Sequence, residues 1–463
     1  MRARISAAAL ALVIAAGCEN TSDIETAQLK QRIDGLEQQM AGLKGDSKGT
    51  AGSAQIAKLE SDIQELKAQL AKFQGSGKAN GGNGKGNGAG QPEHVAAVHA
   101  SWHRVPLSSA VERGLEWLIS VQGTGGGFGQ DGGKTGSARK GLRLEHQGND
   151  VANTALVALA LLRAGNTPNQ GKYSDQLLAA IDFVLGHIEK APEKGLLITQ
   201  RKGTQIQRKL GRHIDTFLAT MLLSEVDGMM PEPKSEERVR KALLKCVAKI
   251  ETHQGKDGSW NASGGWAPII GTSMASRGLF NAQSKGVKVN PMVLDRVSEF
   301  TTKNYDREKR TFKSSGNAGV QLYQVAQALE EASRPGPSTP TAGAAVTAPD
   351  SARREMADSA IGLLSSEKFL GGYGSMGGEE FISYMNISDS LSRHKDAKDT
   401  KDKKDKDAKH GAWDKWNGKI KERLEKLQNK NGTWAGHHCI TGRVACTSAA
   451  ILTMLTERTL PRQ

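Results

Sequence analysis

The chain has 463 residues, a formal net charge of +14, 37% hydrophobic residues and only 5% aromatic residues. That length supports one large core, and no stretch beyond the extreme N-terminus is apolar enough to span a bilayer. The sparse aromatics argue against an aromatic-lined cleft for sugars. The basic excess lacks the interleaved aromatics of a nucleic-acid surface, so no nucleic-acid partner is expected.

The chain opens with Arg2 and Arg4 ahead of an apolar run, Ala7 to Ala16, closing on Ala15-Ala16-Gly17-Cys18. Basic residues, a short apolar core and small residues at the end make a secretory signal, too short for a spanning helix. A Cys directly after the small residues resembles the lipobox of bacterial lipoproteins. That resemblance implies a signal peptide over 1–17, a lipid on Cys18, and an exported protein anchored to a membrane of the bacterial cell envelope.

Residues 18–74 read as a stalk. Leu29, Ile33, Leu36, Met40 and Leu43, and then Ile56, Leu59, Ile63, Leu66, Leu70 and Phe73, alternate spacings of three and four. Those are two short heptad segments. Each is marginal as a lone helix, so self-association or an antiparallel hairpin is expected. Residues 75–95, rich in Gly, Asn, Lys and Ser, read as a flexible tether.

From 96 to 463 the sequence alternates two kinds of helix, and the fold class expected is all-α. Amphipathic segments at 107–121, 175–190, 236–253, 292–304, 351–366 and 413–428 carry one apolar face; on the third, Leu243, Leu244, Val247 and Ile250 mark it. Each is followed by a smaller, more apolar segment: 150–163, 214–226, 272–283, 317–332, 380–391 and 443–456. Helices apolar nearly all round are buried on every side, so six pairs predict a closed (α/α)6 barrel. Two insertions interrupt it, a Pro/Thr/Ala-rich one at 333–350 and a Lys/Asp run at 394–410, expected to be solvated and disordered.

Three turns after amphipathic helices repeat one spacing: Gln122 to Phe128 (QGTGGGF), Gln254 to Trp260 (QGKDGSW) and Gln428 to Trp434 (QNKNGTW). Glu367 to Tyr373 (EKFLGGY) keeps the spacing with Glu for Gln. Such self-similarity marks a repeat architecture. Gln is expected to cap a helix end, glycines to permit a tight turn, and the aromatic to wedge the next helix. These turns, with an Ala/Leu-rich helix opening on Asp150-x-x-x-Thr154-Ala155, resemble the prenyltransferase and squalene-cyclase repeat proteins, over roughly 105–460. The resemblance implies an α/α toroid with its chemistry beside the N-termini of the inner helices. The family's Asp-x-Asp-Asp run, Asp-x-Cys zinc pair and Gly-Cys-Gly-Glu-Gln thioester segment are all missing, and a shared fold does not transfer function.

Several chemically capable residues stand near the inner-helix starts: His146 and Asp150, His213 and Asp215, and Glu379 and Glu380 with Tyr384. Each Asp also serves as a helix cap, and each Glu as a first-turn dipole partner. Facing carboxylates in an apolar cavity would have raised pKa values, as a general acid needs. In GHHCITGRVAC, His437, His438, Cys439 and Cys446 offer three alternatives: a zinc site, a Cys439–Cys446 disulfide suited to an oxidising compartment, or inert thiols. Arg201, Lys202, Arg208, Lys209 and Arg212 form a basic segment on the same expected rim, where a polyanion or an anionic lipid headgroup could dock. Two functions are compatible with this inventory. One is an envelope module binding a hydrophobic or anionic ligand, or a partner, without the family's catalytic motifs. The other is an enzyme acting on an isoprenoid or glycan substrate.

Overall fold

A computed structural model describes residues 106–130, 148–314, 316–334, 348–372, 376–395 and 403–458, together with Glu37, Glu60, Ile63, Gln64 and Lys67. The chain divides into two compact units, Met1–Ala89 and Gly90–Gln463. In the first, the five described residues are helical; Ile63 is buried, and Lys67 pairs with Glu37 at 2.7 Å. Cys18, the rest of the expected stalk and the tether lie outside the described residues.

The second unit is mostly helical. In chain order its helices are α1 (Ser109–Ser120), α2 (Val151–Arg163), α3 (Ser174–Lys190), α4 (Gln205–Leu210), α5 (Ile214–Val226), α6 (Pro233–Thr252), α7 (Pro268–Ser284), α8 (Pro291–Lys303), α9 (Gln321–Ala332), α10 (Ala348–Leu363), α11 (Glu367–Leu370), α12 (Gly378–Lys395), α13 (Lys403–Leu427) and α14 (Arg443–Met454). Two short antiparallel ladders accompany them. In one, β1 (Phe128–Gly129) pairs with β2 (Asn149–Asp150), Phe128 opposite Asp150; in the other, β3 (Tyr305–Asp306) pairs with β4 (Thr311–Phe312), Tyr305 opposite Phe312.

Burial separates the helices into two sets. All thirteen residues of α2 are buried, and α5, α7, α9, α12 and α14 are nearly as enclosed. The flanking helices bury one stripe each, such as Val111, Leu115 and Leu118 on α1. On α6 the stripe is Val239, Leu243, Cys246, Val247 and Ile250, whereas Leu244, expected on it, is 47% exposed. Residue 244 lies about 100° round the helix from 243, outside a stripe already filled by 243, 246, 247 and 250.

The buried helices pack in sequence order, α2 on α5, α5 on α7, α7 on α9, α9 on α12, α12 on α14, and α14 back on α2. Equivalent ends meet. Asp215 at the start of α5 accepts the Ala152 amide at the start of α2 at 3.1 Å. At the far ends, Arg163 of α2 pairs with Glu225 of α5 at 3.3 Å and with Asp389 of α12 at 2.6 Å. Arg277 of α7 joins Glu330 of α9 at 2.6 Å and Asp389 at 2.9 Å, and Arg393 also binds Glu330. Such pairing offsets the cost of burying an ionised carboxylate. Burial pushes Asp389 up, but Arg163 and Arg277 outweigh it and hold the carboxyl below its ordinary range.

The three Gln turns are built alike. Gln122, Gln254 and Gln428 each donate Nε2 to the carbonyl four residues on (Gly126, Gly258, Gly432), at 2.9 Å in all three. The same nitrogen reaches a carbonyl of another flanking helix: Gln176 of α3 at 2.9 Å, Val293 of α8 at 2.8 Å, and Ala110 of α1 at 2.8 Å. The expected helix-capping role is therefore corrected, since the amide stitches its own turn to a neighbouring helix. Gly126, Gly258 and Gly432 adopt φ of 79°, 88° and 84°. A Cβ at each would strike the main chain of that same neighbouring helix, at Ala179, Arg296 and Arg113, so glycine is required twice over.

The aromatics behave as wedges. Phe128, Trp260 and Trp434 are buried, and their amides donate to Thr154, Thr272 and Thr447 of the following buried helix at 2.8, 2.9 and 3.0 Å. In the fourth turn Glu367 opens the short helix α11 and pairs with Lys419 and Arg423 of α13 at 2.8 and 3.2 Å. Tyr373 lies outside the described residues.

The Lys/Asp run is a further correction. Residues 394 and 395 end α12, and 403–410 begin α13, so helix occupies most of the span expected to be disordered. Lys and Ala favour helix, and α13 is held by Trp413 and Trp416, both buried. The Trp416 indole donates to Ser388 of α12 at 2.8 Å. Likewise α10 begins at Ala348, inside the insertion expected at 333–350.

Candidate functional site

The starting ends of the buried helices carry two carboxylate clusters, connected by the short helix α4. Thr204 and Gln207 form a capping box at its start, the Thr-x-x-Gln signature of a helix N-terminus. Gln207, Gln205 and Lys209 then each reach a different part of the site.

Asp150 and Asp215 make the first cluster. Asp150 caps α2, its Oδ1 accepting the Asn153 amide and its Oδ2 the Asn153 side chain, both at 2.8 Å. Asp215 caps the neighbouring helix instead of its own, and its Oδ2 accepts Gln207 Nε2 at 2.7 Å. Burial, then the charge of Asp215, push Asp150 up to about 7. Burial raises Asp215 to about 6 against the bonds from Gln207 and Ala152. Both are committed to holding helix starts together. His213 precedes α5, bonds Ser263 Oγ through Nδ1 at 2.7 Å, and is lowered to about 4 by burial and then by Arg212. It is a neutral structural ring at physiological pH. His146 lies outside the described residues.

Glu379 and Glu380 begin the second cluster. Glu380 accepts the Tyr323 hydroxyl at 3.0 Å and the Gly377 amide at 2.8 Å. Glu379 accepts the Ile440 amide at 3.3 Å, and burial followed by the charge of Glu380 raises it to about 7. The Cys439 thiol hydrogen-bonds Glu379 and Lys209; burial and then Glu379 push the thiol up to about 11, while Lys209 pulls the other way. Cys439 is half-buried at φ 59°, a conformation uncommon outside glycine.

Neither zinc nor a disulfide describes GHHCITGRVAC here. No disulfide joins Cys246, Cys439 or Cys446. Cys446 faces the Ile440 carbonyl at 3.7 Å from within α14, while Cys439 turns toward Glu379. His437 is exposed, and His438 pairs along the main chain with Gly377. Among the described residues no group of three or more His, Cys, Asp and Glu is placed to hold a metal ion, so the expected donor set does not converge. Cys246 is buried on α6 as a small core residue and pushed up to about 12 by that burial. Tyr384 is buried and its hydroxyl donates to the Leu370 carbonyl.

The structure gathers the candidates into two clusters: Cys439 meets Glu379 and Lys209, and Asp150 meets Asp215. Sequence reading missed Gln130, Gln205 and Tyr323. Gln205 joins α4 to the start of α14, its Oε1 accepting the Thr441 and Gly442 amides at 2.9 and 3.1 Å. Its own amide donates to Gln130. The capping box was legible in sequence; the long-range partners were not.

Residues 14–83 match the family described as FlxA-like protein, a segment confined to the first unit. No curated protein and no solved structure matches the chain.

Proposed function

We propose that this chain is an exported, lipid-anchored envelope protein that presents an (α/α)6 toroid of the prenyltransferase/squalene-cyclase type as a binding module. In this reading Cys18 carries the lipid, 18–74 form a coiled-coil stalk able to self-associate, 75–95 are the tether, and the ligand or partner docks at the starting ends of the buried helices. The toroid is supported by the cyclic packing of those helices and by Gln428, which ties the last turn back to α1.

The observation that carries binding over catalysis is the commitment of Asp150, Asp215 and Glu380 to amide, Gln207 and Tyr323 partners within the fold. A general acid needs a proton it can deliver to substrate, and these carboxyls are spent on structure. An enzyme is the second reading, favoured by Glu379, raised to about 7 beside the Cys439 thiol. Two measurements test the pair. Membrane fractionation should find the native chain with membranes and the Cys18→Ser chain in the soluble fraction; retention of Cys18→Ser on membranes would remove the anchor. Incubated with an isoprenoid diphosphate, the full chain should return it unchanged. Its conversion, abolished in Glu379→Gln, would make the enzyme reading the right one.

A further inference from the structure

Among the described residues three large apolar side chains are exposed, Leu244, Trp266 and Met292, and Trp266 is the only aromatic of them, at 50%. It does not stand alone. Lys209 Nζ lies 5.3 Å from the centre of its indole. Arg201, Lys202, Arg208 and Arg212 are exposed on the same segment, and none of the five basic residues makes an ion pair with a described carboxylate. Arg201 acts on the Asp150 and Asp215 carboxyls, while Lys209 at the indole and the exposed Arg208 and Arg212 leave an excess of positive charge on this segment that favours an anionic partner.

The patch is also rigid. The Trp266 and Ala267 amides donate to the Arg208 and Lys209 carbonyls at 3.2 and 2.7 Å, and the Arg212 amide to the Ser263 carbonyl at 3.0 Å. Gly211 and Gly265 have φ of 108° and 106°. A Cβ on Gly265 would sit 2.6 Å from the Gly211 nitrogen, and one on Gly211 would sit 2.9 Å from the Gly264 carbonyl oxygen. Two main chains thus approach as closely as glycine permits, presenting Arg208, Arg212 and Trp266 on a fixed frame.

From this geometry we infer that the 201–212 and 263–266 segments form a docking face for anionic phospholipid headgroups. An exposed indole with the Lys209 ammonium against it, on a segment that also exposes Arg208 and Arg212, suits the membrane interface. Its amphipathic ring settles at headgroup level, while each basic residue gains from the negative surface potential. The inference goes beyond the binding-module reading, and rests on the anchor only for the presence of a nearby bilayer.

The experiment uses the full chain carrying Cys18→Ser, so that a missing lipid cannot be mistaken for a missing face. Its cosedimentation is measured with phosphatidylcholine vesicles and with vesicles containing phosphatidylglycerol. Binding should require phosphatidylglycerol and weaken as salt is raised. Arg208→Gln with Arg212→Gln should weaken it about 25-fold, at roughly fivefold per basic residue, and Trp266→Ala should weaken it further. Circular dichroism melts should show each variant folded as the parent. Equal binding to both vesicle types, or unchanged binding in the triple variant, overturns the inference. So does polyphosphate binding, lost in the same variants, from a chain that ignores the vesicles; that result would assign the face to a soluble polyanion.

Discussion

The two ends of the buried helices solve one problem in opposite ways. Both bury carboxylates, but at the finishing ends buried Asp389 and Glu330 and half-buried Glu225 meet Arg163, Arg277 and Arg393. Helix C-termini carry partial negative charge, so buried acids there need cations. At the starting ends Asp150, Asp215 and Glu379 meet amides, Gln207 and a thiol. Helix N-termini favour anions, but amide dipoles only partly replace water, and these carboxyls stay raised to about 6 or 7. One end is locked by charge and the other keeps carboxyls raised above their ordinary range. Countercharge, not burial, separates them.

The sharpest way to break this comparison is to remove one charged group from each end. Arg277→Ala leaves Glu330 and Asp389 buried with less compensation and should cost about 3–5 kcal/mol in urea denaturation. Asp150→Asn keeps a capping oxygen and should cost well under half as much at pH 5. Similar losses at both ends would mean that the arginines add nothing beyond packing.

The turns should be about as sensitive as the locked end. Trp434 is buried with its indole donating to the Leu424 carbonyl at 2.7 Å. Trp434→Ala should therefore lose about 3–5 kcal/mol, and so should Trp260→Ala, whose indole bonds the Ile250 carbonyl at 2.9 Å. Free access of a soluble quencher to either indole would contradict the wedge.

A smaller effect separates the two ends by pH. Asp150 and Asp215 hold protons more tightly folded than unfolded, so the stability they contribute is complete below about pH 4. It is lost as pH rises through about 6 and 7. Asp389 has the opposite sign: its contribution is present at neutral pH and lost only on acidification. Stability measured from pH 4 to 8 should therefore show a falling component that Asp150→Asn reduces. An undiminished fall in the variant would place the titrating groups elsewhere.

The smallest effect belongs to Cys439. With its thiol raised to about 11, alkylation at pH 8 should run at least tenfold slower than for an ordinary exposed cysteine, and Glu379→Gln should speed it. Fast labelling in the native chain would put the thiol outside the influence of Glu379.

Much of the fold was legible because helices declare themselves by periodicity. The all-apolar runs of α2 and α5 were readable to within a residue or two, and the Gln-to-aromatic spacing located turns whose glycines obey local φ constraints. The errors fell where local pattern is ambiguous. Leu244 is apolar but one residue off its stripe. A balanced Lys/Asp run suits a solvated loop as well as a helix, and only the burial of Trp413 and Trp416 on α13 decides for the helix.

The site was less legible, since its residues were recognisable by type but not by partner. His437, His438, Cys439 and Cys446 are adjacent in sequence, and adjacency suggested a shared metal or disulfide, yet successive side chains at a loop-to-helix junction point in different directions.

The sequence alone determined that this chain carries alternating surface and buried helices, three like turns, and acids at the starts of buried helices, because periodicity, glycine geometry and capping act within a few residues. Only the tertiary structure decided that Gln428 reaches Ala110, that Asp215 caps a neighbouring helix, that Cys439 faces Glu379 beside Lys209, and that arginines lock one end alone. Those partners lie tens to hundreds of residues apart, and hydrogen bonds and charges act through space over a few ångströms, a distance that chain spacing does not encode.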